Sequence, residues 1–165
     1  MKPITAEQNI KLNEPFKPSD FDNLILKQKK NTSIGPDEIS TEFLLLDGIS
    51  TLMTIIANNL MNGKCLPNSL SKTFIRLVHK SDSRADLKNY RPIGITSLAY
   101  KLIAAAIVER LSKILPNVIG NHQQGYIKGR SIAPHTKAIN ELLFQCHCKN
   151  EECITLKTDF EQAFD

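Results

Sequence analysis

No run in this 165-residue chain reaches the roughly 18 apolar residues that a membrane span needs. Nor does the opening segment, MKPITAEQNIKLNE, hold the apolar stretch of a secretory signal. The expectation is therefore a soluble, intracellular protein of the cytoplasm or nucleus with no membrane partner. Cysteine is sparse: Cys65 stands alone, while Cys146, Cys148 and Cys153 crowd into one short stretch. That is no framework for a secreted disulfide scaffold, and reduced thiols are the simpler reading. Zinc is disfavoured too, because ligands at Cys146, His147 and Cys148 cannot converge on one tetrahedral ion. No glycine-rich loop ends in Gly-Lys-Ser/Thr, which excludes a Walker-type nucleotide site. His79, His122 and His135 lack a serine or carboxylate partner at a recognisable spacing, so no hydrolase triad is readable. Internal repeats and low-complexity tracts are absent as well.

What is present suffices for one domain with its own core. The formal charge of +4 suits a polyanionic partner without requiring one. Residues 1–17 are polar, contain two prolines and are expected to form an arm. Ser19 is expected to cap a helix running to about Lys29, with Asp20 and Asp22 in the first turn where the helix dipole favours them. Gly35-Pro36 turns NTSIGPDEIS into a loop. Leu44, Leu45, Gly48, Leu52, Ile55, Ile56 and Leu60 recur at helical spacing and predict a helix from Thr41 to Asn62, with Gly48 as a candidate kink.

KTFIRLVHK reads as a strand, SDSRADLKNY as a polar loop, and RPIGITS as a second extended segment. Ser97 caps the strongest predicted helix, LAYKLIAAAIVERLSKILP, which is apolar on most faces and stops near Pro116. That helix is expected to lie buried between other elements. IGNHQQGYIKGRS is a glycine-bearing loop, Pro134 to about Cys146 a further helix, and CITLKTDF a closing strand. This irregular alternation argues for a mixed α/β (α+β) domain rather than a helical bundle.

Three groups of residues offer chemistry. With a period of two, Ile154 and Leu156 face one way and Thr155, Lys157 and Asp159 the other, which puts Asp159 on the open face at the strand's carboxyl end. Position alone leaves two readings for Asp159: a carboxylate offered to a ligand, or the cap of a helix beginning at Phe160. Lys80 and Arg91 flank the short loop between the two extended segments. A hairpin would hold both over one cleft, and an ammonium beside a guanidinium suits a triphosphate. Two solvated surface cations are the plainer alternative. HQQGYIKGRS combines two glycines, which let a backbone approach phosphate closely, with Lys128, Arg130 and a Tyr126 able to stack on a base or sugar. Taken alone it signals only a flexible loop.

The order of the blocks carries more than any one of them. SIGPDEISTEFL, then LPNSLSKTFIRLVHKSDSRADLKNYRPIGITSLAYKLIAAAIVERL, then HQQGYIKGRSI, then LKTDFEQAFD together resemble the reverse transcriptases of non-LTR (LINE-type) retrotransposons. The resemblance spans about residues 20–165. It implies a partial right-hand polymerase fold, with a helix-rich fingers region at 18–150 and the first palm strand at 151–165. It also implies RNA-templated DNA synthesis with Mg²⁺, an RNA template, a DNA primer and deoxynucleoside triphosphates as partners.

Carried over by position, Gly35, Pro36 and Asp37 belong to the amino-terminal fingers, and Lys80 and Arg91 grip the incoming nucleotide's phosphates. Gln124, Gly125, Tyr126, Gly129, Arg130 and Ser131 lie along the template. Asp159 becomes the catalytic metal ligand, the Phe160 carbonyl faces the same metal, and Phe164 presses on the sugar's 2′ position to exclude ribonucleotides. Family chemistry of this kind uses two metal ions about 3.5–4 Å apart.

Departures from the family pattern are also visible. Ile34 and Glu38 stand at the outer positions of the first block, where proline and glycine are usual. Pro134 and His135 stand near the place where Asp-Asn usually follows Arg-Ser-Ile, which bears on template contacts there. The second catalytic block, an aromatic-x-Asp-Asp hairpin, does not occur in these 165 residues. One carboxylate cannot hold two small hard cations, so the expectation is an amino-terminal fragment that does not polymerise alone. The alternative is a non-catalytic RNA-binding remnant that uses only its basic fingers surface.

Overall fold

A computed structural model describes residues 3–29 and 33–158. Its elements run α1 (Ala6–Asn13), α2 (Pro18–Leu26), α3 (Ile49–Met61), α4 (Asn68–Ser71), β1 (Thr73–His79), β2 (Tyr90–Thr96), α5 (Leu98–Ser112), α6 (Leu115–Val118) and α7 (Ala133–Lys149), with single 3-10 turns at Phe43–Leu45 and Leu87–Asn89. Helix and a two-stranded antiparallel sheet are thus mixed, as expected. The chain divides into two compact units, one ending at Val118 and one beginning at Ile119.

The first unit is organised by three helices that each bury one stripe. Phe21, Leu24 and Ile25 of α2 meet Ile49, Met53 and Ala57 of α3 and Leu98, Ala99, Leu102, Ile103 and Ala106 of α5. Their spacings of three and four residues put each set on a single helix face. Phe21 and Leu102 are fully buried, and Phe16 and Leu44 close the cluster from the connecting segments. Helix α5 is less enclosed than its composition predicts. Val108 and Tyr100 are exposed, because the partners α2 and α3 cover only one of its faces.

Local chemistry revises three boundaries. The segment expected as an arm contains α1, closed by a Thr5–Gln8 capping box. Arg110 of α5 donates to the carbonyls of Leu12 and Glu14 at the end of this helix, and its guanidinium lies 3.8 Å over the Phe16 ring. Helix α2 starts one residue before Ser19. Pro18, lacking an N–H, takes the first helical position, and Asp20 accepts from the Lys17 N–H at 2.9 Å. The helix predicted over Thr41–Asn62 is split, because Gly48 adopts φ 85 and a left-handed residue ends one helical run before α3 begins.

The amino terminus of α5 is where the Gly-Pro-Asp loop acts. Ser97 accepts from the Tyr100 N–H at 3.2 Å and donates to the Leu70 carbonyl at 2.9 Å, so it caps the helix as predicted. Asp37, 61 residues earlier, accepts from the Leu98 N–H at 3.1 Å and caps the same helix a second time. Its approach requires a glycine at position 35: a Cβ there would lie 2.6 Å from the Thr96 carbonyl oxygen.

In the second unit, α7 ends at Asn150 in the left-handed conformation, φ 54. The strand predicted as CITLKTDF is not formed over residues 153–158. A strand is held by its neighbour's backbone, and no described segment supplies one.

Candidate nucleic-acid interface

Residues facing one another across an antiparallel pair project from the same side. Strands β1 and β2 pair with Arg76 opposite Ile93, Val78 opposite Arg91 and His79 opposite Tyr90. The Lys80 N–H donates to the Asn89 carbonyl at 2.7 Å and carries the ladder one residue further. Lys80 and Arg91 therefore share one face of the hairpin, as diagonal neighbours. Arg76 shares it as well, on the other diagonal of Arg91, and such neighbours stand roughly 7–8 Å apart.

All three cations are exposed, and none has a side-chain hydrogen bond or ion pair with a described residue. Three like charges on one small sheet face repel one another, and multivalent phosphate is the complementary ligand because guanidinium can bind it bidentately. Apolar side chains of Phe74, Val78 and Ile93 are interleaved with them and also exposed. Sequence reading passed over Arg76, although the period-two alternation that marked β1 was the signal that places it with Lys80.

The loop that joins the strands is built rather than loose. The Tyr90 hydroxyl donates to the Arg84 carbonyl at 3.0 Å, and the Asn89 amide donates to the Ser83 carbonyl at 2.8 Å. Asp86 accepts from the Lys88 N–H at 3.0 Å, and the His79 ring packs edge-on to Tyr90 at 5.3 Å between centroids. These contacts fix the ends from which Lys80 and Arg91 project.

In the second unit the loop from Ile119 to Arg130 is closed on itself. The Arg130 guanidinium donates to the carbonyls of Gly120 and Gln123, both at 2.6 Å, and of Ile119 at 2.8 Å. Gln124 donates to the Asn121 carbonyl at 2.6 Å, and Ser131 accepts from the Ala133 N–H at 3.2 Å. His135 contacts the His122 carbonyl through a ring nitrogen at 2.8 Å. Gly129, with φ 81, and Tyr126, with φ 62, make the left-handed turns, while Gly125 is not under steric constraint. Tyr126 is wholly exposed, at 106% of its reference surface, on a backbone conformation that costs a non-glycine residue energy.

Arg130 thus ties the loop and Tyr126 is what the loop presents. Arg130→Gln is expected to accelerate tryptic cleavage after Lys128 on the order of tenfold, the equivalent of about one lost charged hydrogen bond. An unchanged cleavage rate would show that the three carbonyl contacts do not hold the loop.

Among the described residues, no group of three or more His, Cys, Asp or Glu side chains could hold a metal ion. Asp159, Phe160 and Phe164, the residues that the resemblance assigns to metal and sugar, lie outside the described residues. No helix among the described residues is long and apolar enough to cross a membrane.

A helical platform carrying a hairpin with three unneutralised cations on one face defines a phosphate-handling protein of mixed α/β class. The sequence profile of the reverse transcriptase (RNA-dependent DNA polymerase) family matches residues 78–165, and the chain belongs to that family. It is similar to the transposon TX1 uncharacterized 149 kDa protein of Xenopus laevis, at 26% identity over 99% of this chain and 13% of that protein. It is also similar to two Drosophila melanogaster proteins. One is the probable RNA-directed DNA polymerase from transposon BS, 23% identical over 98% of this chain and 19% of that protein. The other is the corresponding protein from transposon X-element, 24% identical over 92% of this chain and 17% of that protein. The chain spans less than a fifth of the length of each of these relatives. Enzymes of this family are nucleotidyltransferases that use divalent metal, a nucleic-acid template and nucleotide substrates.

Proposed function

We propose that this chain carries the incoming-nucleotide grip and part of the template track of a retrotransposon RNA-directed DNA polymerase. The observation that carries the reading is the shared hairpin face of Lys80 and Arg91, on which no described acid neutralises either charge. Lys80 acts as a point charge on one phosphate and Arg91 as a two-pronged donor to another. Charge that develops on departing pyrophosphate would be met by the same pair.

Tyr126 supplies the stacking surface of the template track, held out by the loop that Arg130 ties. Gln124, Gly125, Gly129 and Ser131 shape that loop. Mg²⁺ is assigned to Asp159 and the Phe160 carbonyl, where it would neutralise phosphate oxygens and lower the pKa of an attacking hydroxyl. Phe164 is assigned to the sugar. The RNA template, DNA primer and deoxynucleoside triphosphates are the partners this reading requires.

Equilibrium dialysis of a deoxynucleoside triphosphate against the 165-residue chain tests the grip, and absence of binding at millimolar nucleotide would remove the proposal. Primer extension on an RNA template is expected to yield no incorporation by these 165 residues, since one carboxylate cannot hold the metal pair. Mg²⁺-dependent incorporation would contradict that expectation.

A further inference from the structure

The cysteines at and beyond the end of α7 take no part in the proposed grip or template track. The helix runs through Cys146, His147 and Cys148 and is stopped by Asn150, whose left-handed backbone reverses the chain. The reversal is closed by the Glu151 N–H donating back to the Cys146 carbonyl at 3.0 Å and the Asn150 N–H donating to the His147 carbonyl at 3.2 Å. The chain is thereby led back along the last helical turn, and Cys153 arrives beside Cys146. The Cys146 thiol is hydrogen-bonded to Cys153, and this contact is the largest cause of a thiol pKa raised above its ordinary value.

Cys148 is differently placed. Two positions along an α-helix rotate a side chain by about 200°, so Cys148 projects from the face opposite Cys146. Cys65 belongs to the first unit. All four are free thiols, with Cys153 exposed and Cys146 half-buried.

We propose that Cys146 and Cys153 are a reversible dithiol–disulfide site that a hydroperoxide or disulfide oxidant closes. With hydrogen peroxide, the exposed Cys153 thiolate attacks one peroxide oxygen, the O–O bond breaks, and a first water leaves after protonation. Cys146 then attacks the sulfenic sulfur, an S–S bond forms, the S–O bond breaks, and a second water leaves. The two sulfurs give up two electrons and the peroxide takes them. The resulting ring fastens Cys153 to the end of α7, and Cys153 opens the run CITLKTD that leads to Asp159. Oxidation therefore anchors the near end of that run, and reduction releases it.

Thiol counting and peptide mapping of the chain test this directly. After treatment with stoichiometric hydrogen peroxide and alkylation, two of the four thiols are expected to resist labelling. Mapping should find one crosslinked peptide pair joining Cys146 to Cys153, reopened by dithiothreitol. Cys148→Ser should leave that result unchanged, while Cys153→Ser should abolish the intrachain link. Four labelled thiols, a link through Cys148 or Cys65, or a link between two chains would each overturn the assignment.

Discussion

Replacing both Lys80 and Arg91 by glutamine is expected to abolish measurable deoxynucleoside triphosphate binding, and either single replacement to weaken it roughly tenfold to a hundredfold. The scale comes from charge-assisted hydrogen bonds of about 1.5–3 kcal/mol each. Both side chains are exposed and have no described partner, so folding should hardly notice the change. A thermal melt matching the unmodified chain, beside lost nucleotide binding, separates function from folding.

Arg91→Lys should recover only part of the loss, because an ammonium cannot make the two-pronged contact. Arg76→Gln is expected to act on a longer polyanion. The slope of log affinity for single-stranded RNA against log salt should become shallower by about 0.7, the share of one phosphate contact. Undiminished triphosphate affinity in the Lys80→Gln/Arg91→Gln double variant would sink the grip assignment.

Gly35→Ala is expected to destabilise the first unit by about 2–5 kcal/mol, combining overpacking with loss of a helix cap. Its Cβ would lie 2.6 Å from the Thr96 carbonyl oxygen and 3.0 Å from the Ser97 Cα. Both are backbone atoms at the junction of β2 and α5, so relief requires moving the junction or withdrawing the loop. Withdrawal would take Asp37 off the Leu98 N–H. Gly120→Ala is the control, since its added methyl meets nothing within 4 Å, and it should stay within about 0.5 kcal/mol of the parent. Urea melts of the two variants decide the matter: coincident curves would mean that Gly35 is not a close-approach position.

Much of the fold was legible because its signals are local. The alternation in KTFIRLVHK, Pro92 in RPIGITS and Ser97 ahead of an alanine-rich run located β1, β2 and α5 to within about a residue. The features that sequence reading missed are held together by partners far along the chain. The second cap of α5 comes from 61 residues upstream, and the fastening of α1 from Arg110. Neither leaves a periodic trace.

The split of the Thr41–Asn62 helix reflects a left-handed backbone at Gly48. Sequence showed the glycine but not its sign of φ. CITLKTDF failed for the opposite reason, since its alternation is clear but the neighbour that makes a strand is not among the described residues. Of the site, Lys80 and Arg91 were readable as a hairpin pair and Arg76 was missed. Arg130 was read as a template contact, whereas the structure engages its guanidinium with three carbonyls of its own loop.

The hairpin that bears the cations buries little on either side: Ile75 and Leu77 remain 71% and 51% exposed. A two-stranded ribbon is at best marginally stable by itself. Its backbone ladder can therefore open while α2, α3 and α5 keep their shared core. In the language of sub-global unfolding, the phosphate-facing element belongs to the least protected tier of the first unit. Bound polyanion would contribute a share of its order, so nucleotide affinity and local protection of β1 and β2 rise and fall as one linked equilibrium.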